Sequence, residues 1–203
     1  MSIEVKISKG RISYNKAMKF LHKRVEDLKS NNGNELLWIL EHPKTYTSGI
    51  RANKKEILDK KIKTINTNRG GKVTLHNPGQ KIVYLALDLN NRKKDIRKLI
   101  RLIEKSIIEF LLIYKIRSRN DESNIGIWVN KKKIAAIGLR VSRWIAFHGC
   151  SINIDNNLND YLKISPCGLD NKMITSIYKE KKIKIRNIEQ NLIKIFLKNL
   201  KKI

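Results

Sequence analysis

The sequence has few residues of the kinds that define disulfide-stapled, fibrous or disordered proteins. Its 203 residues include only two cysteines, three prolines and ten glycines, which excludes a disulfide framework or a collagen-like chain. Hydrophobic residues make up 41% of the chain and charged residues 31%, the composition of a folded globule. The length predicts a single catalytic or binding domain over residues 1–203.

Long apolar runs are also missing. No stretch approaches the roughly 20 apolar residues that a membrane-spanning helix needs, and the polar start at residues 1–6 does not look like a secretory signal. We therefore expect a soluble cytoplasmic protein that does not use a membrane. In that compartment Cys150 and Cys167 stay reduced, although their number alone would allow one disulfide.

Acidic residues are scarce. Eighteen Asp and Glu stand against 44 Lys and Arg, which gives a net charge of +26. Such a charge suggests nucleic acid first, but Lys, Ile and Asn, whose codons are rich in A and T, together account for much of the chain. No zinc-finger pattern, aromatic RNA-binding motif or Gly-rich basic tail is present. A solvated basic surface is favoured over a specific nucleic-acid site, and it also suits an acidic protein partner.

Hydrophobic periodicity predicts both helices and strands. Apolar residues three and four apart are typical of amphipathic helices, whereas short apolar or alternating runs are typical of strands. Helices are predicted at 15–30, 95–114 and 188–200, and strands at 36–40, 81–89, 126–129, 133–141 and 144–154. Helices before, between and after groups of strands predict an α+β fold in which helices pack on a mixed β-sheet.

Residues 68–80 combine glycines with polar side chains in the run Asn-Arg-Gly-Gly-Lys-Val-Thr-Leu-His-Asn-Pro-Gly-Gln. The glycines permit positive φ and close backbone approach, and Arg69, His76 and Gln80 supply polar groups beside them. Such a segment suits the acyl or carboxyl end of a ligand, and it is equally compatible with a glycine-rich hairpin that binds nothing. The spacing fits neither a Walker loop nor a dinucleotide fingerprint.

A lysine begins the otherwise apolar run at residues 133–140. Lys133 precedes the small residues Ala135, Ala136 and Gly138, so it could enter a partly desolvated site and accept a proton there. The alternative is a solvated lysine, because Lys131 and Lys132 come directly before it.

A cysteine lies between proline and glycine at residues 165–169, Ser-Pro-Cys-Gly-Leu. Proline and glycine could present the Cys167 thiol on a turn, where a nearby cation would favour the nucleophilic thiolate. The alternative is an inert buried cysteine. Metal binding is less favoured, because the two cysteines and the histidines at 22, 42, 76 and 148 lack the usual ligand spacings.

Taken together, these segments resemble the octanoyltransferases of lipoate biosynthesis, the lipoyl(octanoyl) transferase family. The matching motifs occur in the family's order over about residues 35–178. They are Glu41-His42-Pro43, Tyr46-Thr47-Ser48-Gly49, residues 69–80, Gly126-Ile127-Trp128-Val129, residues 133–140, Phe147-His148-Gly149 and Pro166-Cys167-Gly168. Each motif is short, but so many in one order are very specific.

The resemblance implies a biotin/lipoate protein ligase-like fold and an acyltransferase. Such an enzyme moves an octanoyl or lipoyl group from acyl carrier protein to a specific lysine of a lipoyl domain, the first step of endogenous protein lipoylation. The implied acceptors are the lipoyl domains of 2-oxoacid dehydrogenases and the glycine cleavage H protein. The donor is already a thioester, so no ATP, cofactor or metal is implied, and the family suggests a monomer.

The resemblance also implies roles for individual residues. Cys167 would be the acyl-thioester nucleophile, and Lys133 the general base that takes its proton or holds the thiolate by charge. His76 and His148 would be pocket residues without a proton-transfer role. Backbone amides beside the glycines are candidates for oxyanion donors, each typically worth about 2.7–4 kcal/mol. The implied substrate-binding residues are Arg69, Gly70, Gly71, Lys72, Val73, Thr74, Leu75, His76, Ala136, Ile137, Gly138, Gly149, Cys150 and Ser151.

The chain departs from the family at Asn68, where an acid is frequent, and at Leu75 and Asn77, where the family usually has Tyr and Gly. Asparagine tolerates positive φ, so we expect Asn77 to keep the turn. Two other functions stay open. A lipoate-protein ligase shares the fold and a strand lysine but forms an adenylate and needs no cysteine, and a noncatalytic nucleic-acid-binding protein would use the positive charge.

Overall fold

The computed structural model describes residues 2–168, 170 and 173–203, with the side chain of Cys167 outside the described part. Three short 3₁₀ helices lie at Lys54–Glu56, Leu158–Lys163 and Pro166–Gly168. The strands are β1 (Ile3–Arg11), β2 (Glu35–Glu41), β3 (Thr45–Ser48), β4 (Thr64–Asn66), β5 (Val73–His76), β6 (Gln80–Asp88), β7 (Arg119–Asn120), β8 (Gly126–Val129), β9 (Lys132–Ser142) and β10 (Ile145–Asn153). The α-helices are α1 (Tyr14–Lys29), α2 (Ile96–Ile113), α3 (Ile177–Lys181) and α4 (Ile188–Leu200).

The described strands form two mixed sheets. The larger sheet has the order β1-β2-β6-β10-β9-β8-β7, in which only β1 and β2 pair in parallel. The smaller sheet has the order β4-β3-β5, with β3 parallel to β4 and antiparallel to β5. Because helices pack against a mixed sheet, the predicted α+β class is confirmed.

Helices cover both faces of the larger sheet. Alternate residues of a strand point to opposite faces, so β6 sends Ile82 and Tyr84 toward α1, and Val83 and Leu85 toward α2 and α4. The smaller sheet has a separate apolar cluster built around Tyr46. Within the described residues, no helix has the length and apolar character to cross a membrane.

The three long predicted helices are confirmed at α1, α2 and α4. Helix α2 begins where predicted because the Asp95 carboxylate accepts a hydrogen bond of 2.8 Å from the backbone N–H of Lys98, an N-cap. The five predicted strands are confirmed at β2, β6, β8, β9 and β10. The turn expected at Asn77 is present, since Gln80 donates its N–H to the Asn77 carbonyl oxygen at 3.1 Å, but it does not use a positive φ at Asn77. The positive φ of that turn, +84°, belongs to Gly79, while Asn77 has a negative φ and its side chain holds the segment at residues 156–160.

Candidate active site

Small residues on two neighbouring strands form the floor of a cavity. Ser151 pairs with Ala136, and Gly149 pairs with Gly138, across the antiparallel strands β10 and β9. All four lie on one face of the sheet because each pair is two residues from the next. Gly149 has no room for a side chain, since a Cβ atom there would overlap the carbonyl oxygen of Val83.

The loop at residues 69–72 covers this floor. Gly70 donates its N–H to the carbonyl oxygen of Leu139 on β9 at 3.2 Å, and a Cβ on Gly138 would lie 3.1 Å from the carbonyl oxygen of Gly70. The loop therefore approaches β9 closely because two glycines face each other there. Gly71 adopts a φ of +92°, which glycine accepts without strain.

Arg69 holds that loop in place. Its guanidinium donates to the backbone carbonyl and the hydroxyl of Thr47 at 2.9 and 2.8 Å, to the carbonyl of Lys72 at 2.8 Å and to the carbonyl of Gly70 at 3.1 Å. The residue is only 9% exposed. Although Arg69 also lines the cavity, the hydrogen bonds described here direct its guanidinium at the loop and at β3, so it acts as a clamp on the cavity roof.

The cavity and the open solvent at its mouth together hold about 490 Å³ outside the atoms. Twelve of the fourteen substrate-binding residues implied by the resemblance line the cavity. Val73 and Leu75 do not, because β5 alternates: Thr74 and His76 face the cavity, while Val73 and Leu75 pack into the apolar cluster of the smaller sheet. The structure adds two lining residues that the resemblance did not imply, Ile82 and Tyr84. It also places His148, which was expected as a pocket residue, in the lining.

Cys150 lies beside the cavity but belongs mainly to the core under the sheet. It is a free thiol that is 5% exposed and packs in the apolar cluster with α2 and α4. Burial raises the pKa of this thiol well above its ordinary value. The arrangement suits a packing residue and not a nucleophile.

A β-bulge directs Lys133 toward the cavity side of the sheet. Ala135 pairs with Ile127 and Lys133 pairs with Trp128, so Ile134 is an extra residue in β9. Without it, Lys133 would lie on the same face as Ala135, which packs in the core. The bulge is thus the local feature that moves Lys133 out of the core face.

Lys133 is buried, with 4% exposure, and its Nζ lies 5.3 Å from the centre of the Trp128 ring. No carboxylate of the described residues forms an ion pair with it. The lack of a side chain at Gly126 leaves space for the side chain of Lys133, since a Cβ on Gly126 would overlap the Lys133 Cε. A buried amine with an aromatic face and no acid partner is suited to exchanging a proton with a ligand or a thiol.

A second, smaller space of about 260 Å³ connects Lys133 to the floor of the cavity. Lys133 and Pro166 line it, and Thr74, Ala136 and Ser151 line both spaces. Pro166 directly precedes Cys167, whose backbone lies in the 3₁₀ helix Pro166–Gly168. The position of the Cys167 thiol itself lies outside the described part of the structure.

Backbone hydrogen bonds fix the chain on both sides of Cys167. Before it, Ser165 donates its N–H to the Glu56 carbonyl at 2.7 Å; after it, Lys133 donates to Met173 at 2.8 Å and accepts from Thr175 at 2.9 Å. The strand that carries Lys133 therefore pairs directly with the chain that follows Cys167.

A second lysine lies beside the same 3₁₀ helix. The side chain of Lys72 occupies the space that a Cβ on Gly168 would need, and Gly168 has a φ of +75°. The Lys72 Nζ lies 3.4 Å from the carboxylate of Glu56. Glu56 is buried and also accepts from the backbone N–H of Val73 at 3.0 Å. Lys72 thus adds positive charge next to the residue that follows Cys167.

The remaining polar side chains of the cavity are uncharged at neutral pH. Burial, followed by the charge of His42, lowers the pKa of His76 to about 3, and burial also raises the pKa of Tyr84. His76 donates from Nδ1 to Gln80 at 2.8 Å, and the Tyr84 hydroxyl donates to His42 Nε2 at 2.9 Å. Within the described residues, no cluster of three or more His, Cys, Asp or Glu side chains could hold a metal ion.

Comparison with known proteins gives concordant results. Residues 13–197 match the lipoyl protein ligase A/B catalytic domain. The octanoyltransferase of Bartonella bacilliformis is 42% identical over 189 residues, which cover 86% of this chain and 78% of that protein. The resemblance to octanoyltransferases inferred from the motifs is confirmed.

Two solved structures show the fold. The bi-partite lipoate protein ligase of Thermoplasma acidophilum, studied with its E2 lipoyl domain, superposes with a TM-score of 0.71 at 16% identity, covering 99% of this chain and 84% of that one. The biotin protein ligase of Aquifex aeolicus gives 0.54 at 16% identity, with 99% and 70% covered. The predicted biotin/lipoate protein ligase-like fold is confirmed.

Proposed function

Because the chain belongs to the lipoyl protein ligase A/B catalytic domain family, we propose that it transfers an octanoyl group to a protein lysine through a thioester on Cys167, with Lys133 as the base. Its identity of about 40% with octanoyltransferases over most of its length supports the transfer. The observation that supports the dyad is the placement of buried Lys133 in one small space with Pro166, the residue before Cys167.

The first half-reaction loads the enzyme. Lys133 takes the thiol proton of Cys167, and the thiolate attacks the carbonyl carbon of the octanoyl thioester. A carbon–sulfur bond to Cys167 forms, the bond to the carrier sulfur breaks, and the carrier thiolate leaves with the proton from Lys133. The ammonium of Lys72, which is paired with Glu56, is a second cation near this segment, beside Gly168.

The second half-reaction acylates the acceptor. The amine of the target lysine attacks the octanoyl carbonyl of the acyl-enzyme, and the new amide forms as the bond to Cys167 breaks. Lys133 accepts the proton lost by the attacking amine and returns it to the Cys167 thiolate, so the enzyme regains its starting state. The low exposure of Lys133 keeps bulk water away from this exchange.

The partners follow from the chemistry and from the surface charge. We propose acyl carrier protein as the donor, since a strongly basic enzyme attracts an acidic carrier, and lipoyl domains of 2-oxoacid dehydrogenases and the glycine cleavage H protein as acceptors. A structural neighbour is described with an E2 lipoyl domain, which supports the acceptor class.

We further propose a monomer whose residues 1–203 form one catalytic domain, acting in the reducing cytoplasm where the thiol remains free.

Intact-mass spectrometry tests the proposal directly. The purified protein is mixed with octanoyl-acyl carrier protein in the absence of ATP, in parallel with Cys167→Ser and with the matched control Cys150→Ser. We expect one octanoyl adduct on the wild type and on Cys150→Ser, removed by hydroxylamine, and none on Cys167→Ser. Lys133→Met should fold normally and form the adduct at least about a hundredfold more slowly, the usual contribution of a general base.

The opposite result would identify a ligase. If the wild type forms no adduct but acylates a lipoyl domain when free octanoate and ATP are supplied, it forms an adenylate and the thioester mechanism is wrong. Full transfer by Cys167→Ser would also exclude the mechanism.

A further inference from the structure

His148 lines the cavity at the position on β10 that is furthest along the strand from the space shared with Lys133. We call the other end, nearest Lys133, the reactive end. Thr74, Ala136 and Ser151 lie there, because they line both the cavity and the smaller space that contains Lys133. From Ser151, strand β10 runs back through three residues to His148, about 10 Å at about 3.3 Å per residue. Between the two ends the floor consists of the small residues already described.

His148 reaches the cavity through an unusual backbone conformation. Its φ is +67° in the middle of β10, a region that residues other than glycine seldom adopt. Neighbouring residues of a regular strand face opposite sides, yet the rings of Phe147 and His148 stack on one side with centroids 4.9 Å apart and an interplanar angle of 22°. The left-handed residue thus turns the imidazole from the core face to the cavity face.

Asn68 fixes the orientation of that ring. The His148 Nε2–H donates to the Asn68 side-chain oxygen at 2.9 Å, and among the described residues Nδ1 has no hydrogen-bond partner. Asn68 is in turn held by Arg140, whose guanidinium donates to its backbone carbonyl at 3.0 Å, and its amide lies 3.4 Å from His22 Nε2. The imidazole is 1% exposed and therefore depends on Asn68 for its position.

The pair is also electrically neutral. Burial, followed by the charges of His22, Arg69 and Arg140, lowers the pKa of His148 to about 3. Asn68 stands where the family often has an acid, and an amide does not draw a proton onto the ring as a carboxylate would. An uncharged aromatic wall can contact a hydrocarbon end without the cost of desolvating an ion.

We propose that the His148–Asn68 pair is the end wall of the acyl cavity and limits the acyl chain to about eight carbons; this inference rests on the proposed octanoyl transfer. Eight carbons joined by seven bonds of about 1.5 Å span about 9 Å in a zigzag, close to the length from Ser151 to His148. Two more carbons add about 2.5 Å and meet the imidazole. Asn68 stands where the family often has an acid, so the wall departs from the family's frequent pattern at this position.

The test measures chain-length preference. Acyl carrier protein loaded with hexanoyl, octanoyl, decanoyl or dodecanoyl groups competes for the enzyme, and intact mass gives the ratio of decanoyl to octanoyl adducts. His148→Gly removes the ring and accepts the positive φ; we expect it to raise this ratio at least about tenfold, the effect of burying about two more methylenes. Asn68→Ala should raise the ratio by less, because the ring remains but is unanchored.

The matched control is His22→Gln. His22 is not among the cavity-lining residues but lies beside the Asn68 side-chain amide, and glutamine still offers that amide a hydrogen-bond acceptor. We expect the wild-type ratio from this variant. A purely structural role of His148 would lower the adducts of all chain lengths alike and leave the ratio unchanged. That result in folded His148→Gly would overturn the proposal; if His148→Gly does not fold, an unchanged ratio in Asn68→Ala would overturn it.

A binding measurement separates this inference from the proposed function. Calorimetry with Cys167→Ala follows the binding of free octanoate, decanoate and dodecanoate without any transfer. If the wild type forms no thioester but binding weakens beyond eight carbons and His148→Gly removes that limit, the thioester mechanism fails and the end wall stands. If binding has no chain-length limit in Cys167→Ala, or no fatty acid binds, the end wall is wrong even where octanoyl adducts form.

Discussion

Replacement of Arg69 by methionine should destabilise the protein in the absence of any substrate. Among the described residues the guanidinium makes five hydrogen bonds, to the hydroxyl and carbonyl of Thr47 and to the carbonyls of Gly70 and Lys72. Methionine fills a similar volume but donates nothing, so these acceptors lose a buried donor. The loop at residues 69–72 then loses its attachment to β3.

The expected loss is about 3–4 kcal/mol of unfolding free energy. A hydrogen bond to a charged group contributes about 1.5–3 kcal/mol, and bonds from one group are not additive, so the estimate is well below the sum. Single substitutions rarely exceed about 4–5 kcal/mol. Arg140→Met is the matched control, because Arg140 is exposed and its one described side-chain hydrogen bond is to the Asn68 carbonyl; it should lose at most about 1 kcal/mol.

Urea unfolding followed by tryptophan fluorescence measures both variants. With a slope of about 2–3 kcal/mol per molar urea, Arg69→Met should shift the midpoint down by about 1–2 M. The clamp interpretation competes with direct substrate binding by Arg69, which the sequence alone suggested. Suppose that the unfolding free energy of Arg69→Met stays within about 1 kcal/mol of the wild-type value while the KM for the octanoyl donor rises at least about tenfold. Arg69 then binds substrate, and the clamp interpretation is refuted.

Two further predictions concern buried titratable groups. The pKa values of His76 and His148 are lowered to about 3 in the folded protein, against 6.5 in the unfolded chain. Between these values the unfolded chain binds protons that the folded protein does not. The unfolding free energy should therefore fall as the pH drops below about 6.5, by at most about 1.4 kcal/mol per pH unit for each ring. Urea midpoints at pH 7.5, 6.5 and 5.5 check this, and a flat profile would contradict it. Burial raises the pKa of the Cys150 thiol. In the Cys167→Ser variant, where Cys150 is the remaining cysteine, this thiol should not react with iodoacetamide at pH 8 while the protein is folded, and should react once it is unfolded. Rapid labelling of the folded variant would show that Cys150 is accessible.

The elements that the sequence predicts are those with a clear hydrophobic period. Helices α1, α2 and α4 present one apolar stripe each, and β6 alternates between two cores, so local pattern and tertiary packing agree. Strand β1 escapes prediction because it is an edge strand: most of its residues are half-buried or exposed, and its pairing with β2 is set by backbone hydrogen bonds. The strands of the smaller sheet have three or four residues each, too few to show a period.

The site is predictable where chemistry depends on residue type and unpredictable where it depends on packing. Glycines at 70 and 71 indicated close backbone approach, and the structure has the cavity roof there; Gly138 was one of the small residues after Lys133, and it lies in the cavity floor. The side chains of Ile82 and Tyr84 complete the cavity from β6, but in the sequence they read as ordinary core positions of an alternating strand. Only the pairing of β6 with β10, far apart in the chain, brings them to the floor.

Two local irregularities in adjacent strands determine what the cavity can do. The extra residue Ile134 moves Lys133 to the reactive end, and the left-handed conformation of His148 moves its ring to the opposite end. A regular β9 and β10 with the same residues would turn both side chains to the opposite face of the sheet, away from the cavity, so that Lys133 would not reach the space shared with Pro166 and the cavity would have no end wall. Each irregularity disturbs regular strand geometry, and positive φ at a residue other than glycine is a form of backbone strain that the surrounding fold must hold in place. The antiparallel pairing of β10 with both β6 and β9 continues without a register shift through His148, so the sheet confines the distortion to one residue and keeps the distance between the two ends fixed.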